Sequence, residues 1–154
     1  MGGVRFKLSV MMFLQYFIWG CWAVPLGSYL GGALGFPGSQ IGWIYSSTAI
    51  AAMIAPLFVG YVADRLFATE RILGILHLVG GVLLAVAATQ KEFVGLMTVM
   101  TLYSVCYMPT LALTNSLSFR NIGNPEQEFP LIRVFGTFGW IAAGLTVGVA
   151  LGET

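Results

Sequence analysis

The sequence predicts an all-α integral membrane protein with five spanning helices. Three observations carry this expectation. Of 154 residues, 58% are hydrophobic and only 8% are charged, against about 25% charged in a typical soluble domain. A soluble fold of this size has too little interior to hide so much apolar surface. The few charges are clustered, and the runs between clusters are long enough to cross a bilayer, which takes about 20 residues. These runs lack the two-residue alternation of strands. In lipid, only helices or a closed barrel satisfy the backbone. The composition excludes a soluble enzyme, a nucleic-acid binder and a disordered tail.

Arg5 and Lys7 precede a stretch of 56 residues, Leu8 to Ala63, without a charge. That is too long for one span. It divides at Gly31-Gly32 and at Gly35-Phe36-Pro37-Gly38-Ser39, a concentration of turn-forming residues. Helices are therefore expected over 8–30 and 40–63. The first is too long for a removable signal peptide and lacks a small-residue cleavage site. Asp64, Arg65, Glu70 and Arg71 end the second run, and a third span follows over 72–88. Lys91 and Glu92 separate it from a fourth, 93–119. The Asn121 to Pro130 stretch reads as a loop, with Pro130 near the start of a fifth helix over 131–152.

Five spans alternate sides. Arg5, Lys7, Arg65, Arg71 and Arg120 fall on the N-terminal side, with Arg133 at that edge and Lys91 alone opposite. The positive-inside rule then puts the N-terminus in the cytoplasm.

No catalytic constellation is present. The chain has one His, no paired carboxylates inside a span and no Ser/His/Asp set that can be placed together. No enzyme activity and no cofactor are expected. Cys21 and Cys106 lie within spans without metal-ligand spacing and read as buried apolar thiols. What remains is polar content at membrane depth, which must face protein or water.

Arg133, Thr137, Trp140 and Gly144 are spaced i, i+4, i+7 and i+11 and share one face of the fifth helix. A guanidinium and a hydroxyl supply hydrogen bonds, and an indole supplies a stacking plane. This is a wall suited to a polar, ring-shaped solute. The other reading is that Arg133 snorkels to the cytoplasmic interface. Gln15, Trp19 and Trp22 form a similar stripe on the first helix. The fourth carries Tyr103, Tyr107, Pro109, Thr110, Thr114 and Asn115. Taken singly, such residues serve interhelical hydrogen bonding; stripes on three helices favour a lined cavity. His77 reads either as a helix-contact residue or as a proton relay. Gly144, Gly148 and Gly152 form a small-residue ladder that signals close helix packing.

The connection after the second span carries the most distinctive motif. Gly60-Tyr61-Val62-Ala63-Asp64-Arg65 closes the helix and Arg71 opens the next. This resembles the signature loop of the major facilitator superfamily, Gly-x-x-x-Asp-Arg followed by Gly-Arg. Here Leu66-Phe67-Ala68-Thr69-Glu70 replaces the tight second half. Longer stretches are similar to the nucleoside:proton symporters of that superfamily. They are Phe13–Gly20 with Leu26–Tyr29, Ile41-Gly42 with Tyr45-Ser46 and Ala49–Ala52, Tyr107–Leu111 with Asn115, and Phe129–Ile141. The similarity covers nearly the whole chain.

The resemblance implies an inner-membrane permease that imports nucleosides with protons by alternating access. It implies that Arg133, Thr137 and Trp140 line the substrate cavity; the stripes on the first and fourth helices offer Gln15, Trp19, Tyr107 and Asn115 as further contacts. It assigns Gly60, Asp64, Arg65 and Arg71 to a conformational latch. Trp140 is a larger ring than the Phe such a site is expected to carry. Transporters of this superfamily have two six-helix halves around a central site, so five spans imply an N-terminal portion whose C-terminal half is absent. The expected partners are a nucleoside, a proton, the bilayer and that second half, with no nucleic acid. Rival readings are a transporter of another solute, such as a sugar or drug, on the same fold, or a non-transporting membrane subunit. A small dimeric exporter fits less well, because the first span carries no carboxylate.

Overall fold

The computed structural model describes residues 2–65 and 68–151, and the side chains among them except at 60–65 and 151. Five α-helices follow one another: α1 Gly2–Ser28, α2 Gly38–Arg65, α3 Thr69–Thr89, α4 Phe93–Asn121 and α5 Pro125–Leu151. All five are long and apolar enough to cross a membrane.

The helices outrun the apolar spans that mark them in the sequence. Hydropathy measures the thickness of the hydrocarbon core, about 30 Å. A helix of 27 residues, such as α1 or α5, reaches about 40 Å at 1.5 Å per residue. α1 accordingly begins at Gly2 and carries Arg5 and Lys7 on its first turns.

The Gly31-Gly32 pair does not break the chain. It lies in a π-helical turn, Tyr29–Ala33, that continues α1. The break falls at Gly35, whose φ of +68° lies in the left-handed region that favours glycine, while the Phe36 amide donates to the Leu30 carbonyl at 2.9 Å. The Pro37 carbonyl then accepts the Gln40 and Ile41 amides, at 2.9 and 3.2 Å, and starts α2.

The stretch expected as a loop before the fifth helix is corrected: it is helical from Pro125. Asn124 caps it, its Oδ1 accepting the Gln127 amide at 3.3 Å and its carbonyl the Glu128 amide at 2.9 Å. Glu128 reaches back to accept the Asn124 amide at 3.0 Å. Pro125 takes the first helical position, where a missing N–H costs nothing. Pro130 therefore lies inside α5, where it leaves the Glu126 carbonyl without its usual amide.

The chain forms two compact units. The first comprises α1, the last turn of α4 and α5. Leu8, Met12 and Ile132 are its buried centre, surrounded by Met11, Tyr16, Ile122 and Phe129. The backbones approach closely where side chains are missing. A Cβ on Gly139 would overlap the Phe13 carbonyl, and one on Gly20 would lie 2.8 Å from the Ala143 Cβ. Gly144, at the head of the predicted ladder, faces open space instead. Near the helix starts, the Arg5 Nε donates to the Glu128 carboxylate at 2.6 Å.

The second unit holds α2, α3 and the rest of α4. Ile72 and Leu113 are buried together against Val59, Leu73 and Leu76. Gly80 of α3 lies beside the Tyr103 ring of α4. The Ser104 hydroxyl of α4 donates to Thr48 Oγ1 of α2 at 3.1 Å.

Candidate substrate-binding wall on helices 1 and 5

The α5 stripe is realised as a helix face, and α1 supplies what it packs against. The guanidinium carbon of Arg133 sits 4.2 Å from the centroid of the Tyr16 ring, a cation–π geometry. Seven residues along α5, Trp140 meets Trp19 edge to face, with centroids 5.2 Å apart and planes at 86°. Tyr16 and Trp19 are themselves neighbours at 5.9 Å. One guanidinium and three aromatic rings thus form a continuous surface. Thr137, between Arg133 and Trp140, is exposed.

The threonine hydroxyls separate into two kinds. Thr101 and Thr146 each donate to the carbonyl four residues earlier, at 2.7 Å, and Thr98 does so at 2.8 Å. Thr110 and Thr114 bond to the carbonyls of Tyr107 and Leu111. Folding the hydroxyl back onto its own helix satisfies it without a partner. The Thr137 hydroxyl makes no hydrogen bond among the described residues, and it stands on the Arg133–Trp140 stripe.

The other predicted residues are placed as follows. Gln15 is buried at 2% exposure and Tyr107 likewise at 2%. Tyr107 stacks on Tyr103 with centroids 5.4 Å apart and receives the His77 ring edge-on at 5.9 Å. His77 Nδ1 lies 2.9 Å from the Leu73 carbonyl of its own helix, so in the neutral ring that nitrogen carries the proton and Nε2 is the acceptor. Asn115 is half-buried, and its Oδ1 is a buried acceptor with no hydrogen-bond partner among the described residues. Of the latch, Arg71 is exposed on the first turn of α3. Gly60, Asp64 and Arg65 end α2, and their side chains lie outside the described residues. Cys21 and Cys106 are free and half-buried, and no group of His, Cys, Asp or Glu able to hold a metal occurs among the described residues.

Tyr16 is the residue of this wall that sequence spacing missed. It lies one position from Gln15 and three from Trp19, so helical periodicity puts it beside the predicted stripe. Only the packing of α5 shows that it meets Arg133.

Five apolar helices bearing this wall define a multi-pass membrane protein of the major facilitator fold, represented by its N-terminal five helices. Two crystal structures of the nucleoside transporter NupG superpose with TM-scores of 0.93 and 0.91 at 35% identity over 96% of this chain. The chain belongs to the nucleoside H+ symporter family, whose model matches residues 2–153. It is similar to YegT of Escherichia coli (strain K12), at 49% identity over 92% of the chain. It is also similar to the xanthosine permease of the same strain, at 43% identity over 91%. The chain spans about a third of these relatives: 33% of YegT, 34% of the xanthosine permease and 38% of the longer-matching NupG chain. Relatives of this kind are permeases rather than enzymes.

Proposed function

We propose that this chain is the N-terminal part of a transporter that imports nucleosides with protons by alternating access. The observation that carries the reading is the α1–α5 wall in a chain matched by the symporter family over residues 2–153. Arg133 and the unspent Thr137 hydroxyl donate hydrogen bonds to the polar edge of a base. Trp140, braced edge-on by Trp19, offers an aromatic surface against which the base packs. Gln15 on α1, and Tyr107 and Asn115 on α4, are further substrate contacts, the Asn115 Oδ1 offering an acceptor to a hydroxyl or N–H. The remainder of the transporter supplies the other wall of the site. Gly60, Asp64, Arg65 and Arg71 act as the conformational latch. The excess of Arg and Lys on one side supports an inner-membrane protein with a cytoplasmic N-terminus.

The test is uptake of labelled uridine and xanthosine by cells that lack their own nucleoside transporters and express the complete transporter. Arg133→Ala is expected to abolish uptake at unchanged membrane abundance. Collapse of the proton gradient is expected to abolish wild-type accumulation. Normal uptake by Arg133→Ala sinks the site, and accumulation that ignores the gradient sinks proton coupling.

A further inference from the structure

We infer that Tyr16 is a positioning residue for Arg133: its ring face holds the guanidinium in place while leaving the N–H donors free for substrate. The inference rests on the proposed role of Arg133. The geometry is tight. The guanidinium carbon lies 4.2 Å from the ring centroid. A Cβ at Gly136 would fall 2.7 Å from Tyr16 Cδ2 and 2.9 Å from Arg133 Nη1. The ring and the cation share a space that exists because position 136 has no side chain. The ring cannot retreat either, since Gly139 and Gly20 set the α1–α5 separation on the same stretch.

The choice of an aromatic partner has a chemical consequence. A carboxylate would accept two of the five guanidinium donors in the guanidinium plane and cancel the charge. A ring face attracts the cation through its quadrupole and accepts none of the in-plane N–H groups. In this unit the described acids lie at the start of α5: Glu128 is paired with Arg5, and Glu126 is exposed. Arg133 makes no hydrogen bond or ion pair among the described residues. Tyr16 also touches Trp19, which braces Trp140, so one α1 stripe orients both the polar and the aromatic part of the wall.

The test varies the electronics of the ring at constant size. In the complete transporter, Tyr16→Phe should keep KM for uridine within about twofold of wild type. Replacement by mono-, di- and trifluorinated phenylalanine, introduced by nonsense suppression, should raise KM stepwise, to roughly three- to thirtyfold. Vmax and membrane abundance should stay constant, which a packing defect would not allow. A KM that stays flat across the fluorinated series overturns the inference. A second readout needs no substrate. In purified protein, phenylglyoxal should modify Arg133 several-fold faster in Tyr16→Leu than in Tyr16→Phe, and equal rates overturn the inference. If wild-type protein takes up no nucleoside, the nucleoside reading fails alone, and the phenylglyoxal rates still decide the role of Tyr16.

Discussion

The α5 face that carries Arg133 and Thr137 and the helices of the second unit treat hydroxyls in apolar surroundings in opposite ways. In α4 and its neighbours, hydroxyls are turned back onto their own helix: Ser47 onto Ile44, Thr101 onto Met97, Thr110 onto Tyr107. Each such group is satisfied by a carbonyl already present. On the α1–α5 face, Thr137 is left unbonded among the described residues, and Arg133 rests on a ring rather than on a carboxylate. The backbones differ to match. α1 and α5 approach until Gly139 nearly meets the Phe13 carbonyl, whereas α2 and α4 are bridged by side chains, as at Ser104 and Thr48. Polar residues in a membrane bundle therefore do not have one meaning. Those whose donors are spent within the helix are scaffold, and those held open by a closely packed, rigid pair are candidates for ligand contact.

The largest effect that probes this contrast is steric. Gly139→Ala places a methyl group on the Phe13 carbonyl, backbone against side chain with nothing flexible to yield. Overpacking of this kind costs about 1–3 kcal/mol or more, and the helix pair is expected to separate. Gly144→Ala enters open space and should be neutral or slightly stabilising, since Ala is favoured over Gly in a helix by about 0.5–1 kcal/mol. Thermal unfolding of the detergent-purified transporter, read by size-exclusion chromatography, compares the two. Equal melting would falsify the claim that α1 and α5 are the tightly joined pair.

A smaller effect separates the two kinds of threonine. Thr137→Val removes a hydroxyl that is free for substrate. One hydrogen bond contributes about 0.5–1.5 kcal/mol, so under the proposed function KM for a nucleoside should rise roughly two- to tenfold. Thr101→Val removes a hydroxyl already bonded to the Met97 carbonyl and should leave KM within about twofold. Saturation curves for the two variants decide the matter; a larger change at Thr101 than at Thr137 reverses the assignment of open and spent hydroxyls.

Much of the fold was legible because a bilayer demands a long apolar run from any helix that crosses it, and charges punctuate such runs. The ends were less legible, because hydropathy stops at the hydrocarbon boundary while backbone hydrogen bonding continues. The start of α5 shows this. Asn124-Pro125 is a capping signal in the sequence, but the Asn121 to Pro130 stretch that holds it reads as a loop. The stripe of Arg133, Thr137 and Trp140 was legible from helical periodicity. Its contact with Tyr16 was not, since nothing in one sequence says which faces of α1 and α5 meet. Of the glycine ladder, Gly144 faces open space. Gly144 has the spacing of a packing motif, but the close approach is made at Gly136 and Gly139, where α1 presents Tyr16 and Phe13.

The smallest predicted effect lies at the start of the same helix pair. Arg5 and Glu128 form an ion pair at 2.6 Å, with the Arg5 side chain 48% exposed. Water and salt screen such a pair, and a single exposed pair contributes little to stability. Glu128 has a second task, because its other carboxylate oxygen accepts the Asn124 amide and closes the first turn of α5. The two roles are separable. Arg5→Ala removes only the pair, so its melting temperature should fall slightly, and the difference from wild type should vanish at high ionic strength. Glu128→Ala removes the pair and the cap, so its loss should be larger and should persist at high salt. Glu128→Gln keeps an oxygen acceptor for the cap without the charge and should follow Arg5→Ala. If Glu128→Ala and Arg5→Ala melt together at every salt concentration, the carboxylate does not act on the helix end.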